Sequence, residues 1–324
     1  MSDSILEIAQ QCIANYNHYA GSIQRNSVRR LYLPDGNGEL QPCGLILEDV
    51  ALGLPWELYG FWFTDDGKIV PPSTNPNTVS GLLRDLTWDE ITLRNFPDIQ
   101  RWVNGANQEY VNVIGAHPAF QIPDYLGAHI GIPQVGAHLT IFSRAGMWVQ
   151  VRSSDSVYPG KYDQIAAGGV RKGETFWTAL YRLAQGIGPA VPERVRGLVL
   201  MDGIVSYTNI RDEESVRFVG QIEPGIKACF SVDLGMSFNP EQSNSGEVSR
   251  FILLQPQALM DSLKGGMWRP SSALVALYAL ARNPNCIGRL VSREEVEFIE
   301  YHLGASEGEL DKVEDLLVRE ERDL

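Results

Sequence analysis

Apolar residues Ile5, Ile8, Ala9, Cys12 and Ile13 recur at helical spacing between Ser4 and Tyr19, which predicts an amphipathic first helix packed on the strands that follow it. From Val28 to Leu54 the rhythm shortens to β-rich runs, RRLYL and GLIL, around the turn signal Asp35-Gly36-Asn37-Gly38, and this predicts a hairpin. Trp56, Tyr59, Phe61, Trp62 and Phe63 then crowd one segment, either as the core of a small domain or as a stacking wall for a flat ligand. A helix is predicted over Val79–Leu86, and Arg101–Val113 reads as a turn with an extended piece.

The second half carries longer signals. Ala137–Phe142 and Met147–Arg152 predict a hairpin about Ser143-Arg144-Ala145-Gly146. Phe176, Leu180, Leu183 and Ile187 make one apolar helical stripe that stops at Gly188-Pro189. Arg196–Ile210, Arg217–Val232 and Arg250–Leu254 read as strands, with a polar loop over Asn239–Gly246. Pro256–Lys264 reads as a helix and Ala273–Ala281 as a buried one. Glu294–Leu303 and Glu309–Glu320 are acidic helical segments read as a solvated face.

Composition narrows the class. A chain of 324 residues, 44% hydrophobic and 21% charged, suits a soluble globular protein with room for two cores. A formal charge of −13 argues against a general footprint on nucleic acid or an anionic membrane, while leaving a local basic pocket open. Cys12, Cys43, Cys229 and Cys286 are scattered without a CxxC pair, and the first residues lack the pattern of a secretory leader, so reduced thiols and a cytoplasmic location are expected.

The tripeptide Gly-Ala-His occurs three times, at His117, His129 and His138. The intervals are too long for one helix face, so packing histidines are expected rather than a zinc site. His138 is the best acid–base candidate of the three, because it opens the apparent strand HLTIF. Ala166-Ala167-Gly168-Gly169 reads as a turn, and with Gly173 it frees the backbone for a tight loop before the helix and for close approach to a ligand.

The stretch from Tyr158 to Val191 resembles a Nudix box, G-x5-E-x7-R-E-U-x-E-E-x-G-U, in which Gly168, Glu174 and Arg182 match. The positions of the helix glutamates read Leu183, Gly186 and Ile187. Over nearly the whole chain, the order VGAHLTIF, YPG-x-x-D-x-x-AAGG-x-x-x-GE, a late Gly246-Glu247-Val248 and WRPSSALV resembles one Nudix subfamily with an extra N-terminal domain, related to the Nudix part of fungal thiamine pyrophosphokinase-related proteins. That resemblance implies an α/β/α Nudix sandwich over 130–286, a smaller N-terminal α/β domain over 1–129 and an acidic helical extension over 287–324. It also implies Mg²⁺-dependent hydrolysis of thiamine diphosphate or a related diphosphate. Yet the acidic residues that follow the late motif in the family are here Ser249 and Arg250.

Three functional readings result. The leading one is a metal-independent pocket for an apolar or flat small molecule, made oilier by Leu183 and Ile187, with an isomerase, cyclase or dehydratase type of reaction in specialised biosynthesis. It takes His138, Asp202, Tyr207 and Glu247 as acid–base candidates, Gly168, Gly169, Arg182, Leu183 and Ile187 as substrate-binding residues, and no cofactor. The second is the Mg²⁺-dependent hydrolase. The third is a non-catalytic protein that binds a ligand or partner chain. A small molecule is the expected partner, without nucleic acid or membrane, and a homodimer is compatible.

Overall fold

The computed structural model describes residues 5–17, 28–105, 110–215, 218–241, 246–283 and 291–318. Ser4 and Tyr19 at the ends of the predicted first helix, Arg217, the middle of the 239–246 loop, Cys286 and Glu320 lie outside the described residues. Cys12, Cys43 and Cys229 are buried free thiols.

Strands β1 (Val28–Pro34) and β2 (Leu40–Leu47) form the expected antiparallel hairpin, with the Asp35 carboxylate accepting from the amides of Asn37 and Glu39 to fix its turn. With β3 (Trp62–Phe63) and β4 (Lys68–Val70) they make a four-stranded sheet. Helices α2 (Glu48–Gly53), α3 (Pro76–Trp88), α4 (Glu90–Asn95) and α5 (Pro97–Val103) accompany it. Trp56 and Phe61 meet edge to face inside this core at 1% exposure each, so these two rings of the aromatic run serve packing, while Trp62 is exposed. The segment read as turn and extended chain begins helically instead: Pro97 stands in the first turn of α5, where its missing N–H costs nothing, and Ile99, Trp102 and Val103 are buried. Short strands β5 (Tyr110–Val111) and β6 (Ile122–Pro123) and helix α6 (Asp124–His129) then lead into the main sheet.

That sheet is mixed. Strands β7 (Gln134–Ser143), β8 (Gly146–Arg152), β9 (Tyr162–Gln164), β10 (Ala166–Gly169), β11 (Leu200–Ile210), β12 (Ile222–Asp233) and β13 (Val248–Leu254) follow the order β11-β12-β7-β8-β13, with β10 on β7 and β9 on β8. Strands β7 and β12 run parallel; the other pairs are antiparallel. Side chains alternate faces along a strand, and both central strands obey that period. Val135, Ala137, Leu139 and Ile141 of β7, with Ile226, Ala228, Phe230 and Val232 of β12, join the core under α7 (Phe176–Ala184) and α8 (Val191–Arg196). Phe142 and Cys229 face the opposite layer, built on α9 (Pro256–Lys264), α10 (Pro270–Arg282) and α11 (Arg293–Leu303). A sheet held between two helical layers is the α/β/α sandwich that the resemblance implies.

Other expectations change as well. The 166–169 segment is not a turn but strand β10, paired with Gly136–Leu139 of β7. And α1 (Ile5–Tyr16) does not pack on the strands that follow it: it lies against α9, α10 and α11, with Ile5, Ile8, Ala9, Cys12 and Ile13 buried in that layer. Its apolar stripe is long enough to serve a helical layer, and the Cys12 thiol faces the carbonyl of Leu263 at 3.7 Å. The acidic α11 is likewise solvated on one face only, since Ile299 and Leu303 are at 0% exposure. Among the described residues no helix is long and apolar enough to cross a membrane.

Ile8→Ala is expected to destabilise the protein by about 2–5 kcal/mol, the range for truncating a buried aliphatic side chain. Hydrogen exchange should then quicken in α10 and α11 rather than in β1 and β2; the reverse pattern would place α1 with the wrong layer.

Candidate functional site

A cavity of about 640 Å³ opens where β7 and β12 begin and β10 ends, walled on one side by the segment Tyr110–Gln134 and on the other by residues 167–172 and α7. The local sequence accounts for the loop. Thr175 caps α7 through a reciprocal capping box with Thr178, and Gly173 takes a φ of +81°, which an L side chain rarely adopts. Glu174 and Arg182, two of the matching box residues, form a bidentate pair at 2.6 and 2.8 Å. Glu174 Oε2 also accepts from the Arg171 amide at 2.8 Å, and Arg182 donates to the Gly169 carbonyl at 2.8 Å. Burial would raise the Glu174 carboxyl, but Arg182 and the Arg171 amide hold it below the usual carboxylate range. The pair is thus a brace that ties the loop to the helix.

Leu183 stands where a helix glutamate is expected and turns toward Gly168: a Cβ on that glycine would lie 2.6 Å from Leu183 Cδ2. Gly168, Gly169, Arg182 and Leu183 all line the cavity. Ile187 does not. Helix α7 ends at Ala184, a 3₁₀ turn follows, and Ile187 is sunk in the core beneath it at 1% exposure.

His138 and Glu247 line the cavity as well. His138 Nδ1 lies 2.9 Å from Gln164 Oε1, while Gln164 Nε2 donates to the Ser272 carbonyl at 2.8 Å. With its amide nitrogen so engaged, Gln164 presents an acceptor to the ring, which fixes the proton on Nδ1 and leaves Nε2 as the basic nitrogen. Burial, aided by the positive charge of Lys227, pushes the imidazole down to about 4 although Asp163 opposes the shift. The ring is therefore neutral near pH 7.

The other two acid–base candidates stand elsewhere. Asp202 lies toward the far end of β11, where it accepts from Ser231 Oγ at 2.8 Å and Asn283 Nδ2 at 3.1 Å, and burial raises its carboxyl. It is not among the cavity's lining residues. The Tyr207 ring is packed across Gly225 under α10, also outside the lining, and burial drives its hydroxyl well above the ordinary phenol value. The three Gly-Ala-His histidines separate too: His117 Nδ1 accepts from the Ala119 amide at 3.1 Å, and His129 pairs with Asp98 at 2.9 Å.

Sequence reading missed the basic residues beneath and around this site. Lys227 and Arg269 line the cavity floor, and Arg171 and Lys172 its exposed rim. With Arg182 these make five cationic side chains in the lining beside Asp124 and Glu247, in a chain whose overall charge is −13, although Arg182 is paired with Glu174 and Arg269 with Glu223. The oily pocket expected from Leu183 and Ile187 is instead a cationic one with apolar patches from Leu183, Val135 and Ile132. Lys227 and Arg269 come from a strand and a loop far apart in the chain; Arg269 belongs to the WRPSSALV stretch, and Lys227 is a lysine within the run Ile226–Phe230 of β12.

Mg²⁺ wants several anionic oxygens at one point. Here Glu174 is committed to Arg182, the helix positions are Leu183, Gly186 and Ile187, and among the described residues no three His, Cys, Asp or Glu side chains converge. The donor set does not fit the cation cradle that the resemblance implies.

No family model matches the chain and no curated protein matches it. Solved structures do match part of it. The dihydroneopterin triphosphate pyrophosphohydrolase of E. coli is 16% identical over 44% of this chain and 93% of its own, with a TM-score of 0.33. A MutT protein from Methanosarcina mazei is 14% identical over 52% and 94%, with a TM-score of 0.31. The Nudix domain of Shewanella oneidensis NrtR, solved with ADP ribose, is 12% identical over 37% and 71%, with a TM-score of 0.29. Likeness at this level says nothing of substrate, so the chemistry is argued from this chain's own residues.

Proposed function

We propose that the protein is a metal-independent enzyme that binds an anionic small molecule in the 167–172 cavity and moves a proton on it, in a reaction of the isomerase, cyclase or dehydratase type. The observation that carries this reading is the pairing of a cationic cavity with a neutral, oriented imidazole at its floor. Arg171 and Lys172 at the rim draw in and hold the anionic group, as oriented positive charge in a negative field does. His138 Nε2 acts as the base, and Glu247, which also lines the cavity, is the second acid–base group. Leu183 and Gly168 supply an apolar face for the carbon skeleton.

A second reading, Mg²⁺-dependent hydrolysis of thiamine diphosphate or a related diphosphate, is favoured by the same rim cations, which suit a diphosphate. Lowering the barrier to that reaction draws on metal electrostatics worth several kcal/mol, about the contribution of a Lewis-acid ion. The carboxylates that would anchor such an ion are engaged or replaced.

Pyrophosphate, used as a probe in EDTA, is expected to raise the melting temperature, and added NaCl to reverse the rise. Replacing Arg171 and Lys172 together by serine should weaken its binding roughly tenfold, about 1.4 kcal/mol, by calorimetry. Thiamine diphosphate with Mg²⁺ should release no phosphate above the metal-free control; release that tracks the metal would establish the hydrolase instead.

The neutral imidazole has its own signature. Because His138 titrates at about 4 when folded, against an ordinary 6.5, the unfolded chain takes up the proton first as pH falls. Stability from this group is full above the ordinary value and is lost as pH drops toward 4. The His138→Gln variant should therefore lose less melting temperature than the wild type between neutral pH and the low end of that window. Equal losses would show an imidazole whose proton affinity does not change on folding.

A further inference from the structure

Lys227 brings a primary amine into the cavity from β12. At 4% exposure it is buried, yet it lines the cavity. Its place on β12 puts it opposite Gly136 of β7 in the parallel register. The missing side chain there makes room for the lysine stem: a Cβ on Gly136 would lie 3.1 Å from Lys227 Cδ. The stem passes over that gap, and the amine donates to the Gln134 carbonyl at 2.8 Å.

The nearby carboxylates are already engaged. Glu223 is held by Arg211 at 3.1 Å and Arg269 at 3.4 Å, and Asp163 by Arg152 at 2.8 Å. Among the described residues, then, the amine rests on one neutral carbonyl, with two guanidiniums close by and the Tyr207 ring at 5.9 Å. A desolvated amine beside other cations is the setting in which lysine becomes a nucleophile.

We propose that Lys227 is a covalent anchor that condenses with the carbonyl group of an anionic aldehyde or ketone held in the cavity. This inference rests on the reading of the cavity as an anion-binding small-molecule site. The amine lone pair forms the new N–C bond while the carbonyl π pair moves onto oxygen. That oxygen leaves as water with the two amine protons, and a C=N bond remains, so no oxidant, reductant or further reactant is needed. Protonated, the imine draws electrons from the neighbouring carbon and loosens its C–H bond, which gives the neutral His138 a proton to take and joins the anchor to isomerisation, cyclisation or dehydration.

The electrostatics support the geometry. Burial, reinforced by Arg269, pushes the Lys227 amine down to about 7, with Glu223 opposing. The groups that face it are Glu223 from its own strand, His138 from β7, Tyr207 and Arg211 from β11 and its following loop, Asp163 from β9 and Arg269 from the start of α10. A large neutral fraction is then present at physiological pH.

The test uses pyridoxal 5′-phosphate, an anionic aldehyde, with the full-length protein. Adducts are fixed with borohydride and located by peptide mass spectrometry. The expected result is an adduct on Lys227 whose formation rises through a pH of about 7, is suppressed by saturating pyrophosphate and is lost in Lys227→Arg, which keeps the positive charge. An adduct confined to the exposed Lys172, in a protein that pyrophosphate still stabilises against heat, would overturn the anchor and leave the cavity reading intact. No adduct on Lys227 and no stabilisation by pyrophosphate would overturn both.

Discussion

The interior ionic network between the sheet and the start of α10 is the constraint around which the rest of the sandwich is arranged. Asp163 of β9, at 0% exposure, pairs with Arg152 of β8 at 2.8 Å and accepts from Ser272 Oγ at 2.5 Å. Arg269, the residue before α10, lies between Asp163 and Glu223 of β12, and Glu223 also meets Arg211. Burial would raise both carboxyls, yet the surrounding arginines hold them below the usual range. Removing one member of such a network leaves a charge stranded in a low dielectric, which costs about 3–5 kcal/mol for a buried pair. The network therefore fixes β8, β9, β12 and α10 relative to one another, and the site inherits that rigidity.

His138 shows the inheritance directly. Its tautomer depends on Gln164, which is anchored to the Ser272 carbonyl, and Ser272 in turn holds Asp163. Two adjoining residues of β9 thus secure the charge network and orient the imidazole. Lys227 owes its character to the same arrangement: the carboxylates that would otherwise neutralise it are spent on arginines. A supporting shell of this kind holds reactive groups more closely than a mobile loop would.

The residues that resemble a Nudix box hold local structure here. Glu174 and Arg182 brace the 169–174 loop against α7, and Leu183 fills the space over Gly168. The scaffold persists because loop and helix still satisfy each other. Carboxylate ligation is not required for that.

Much of the architecture was legible in the chain. The β7–β8 hairpin, the apolar helix at 273–281 and the helix at 256–264 followed from periodicity and turn residues, since those signals are local. Gly168, Gly169, Arg182 and Leu183 fall together in the cavity lining because they belong to one contiguous strand, loop and helix. Partnership over long separations was not legible. The stripe of α1 announced a helix but not that it would pack on α9–α11, and a glycine-rich segment read as a turn became β10 because β7 offered it an edge. Asp202 and Glu247 looked alike as isolated acids; tertiary packing put Glu247 at the cavity and Asp202 with Ser231 and Asn283. The sequence by itself determined the elements and the absence of carboxylates at Leu183, Gly186 and Ile187, because propensity and residue identity are written position by position. Only the tertiary structure decided that the cleft is cationic and that Lys227 stands in it, because charge environment depends on side chains brought together from distant strands.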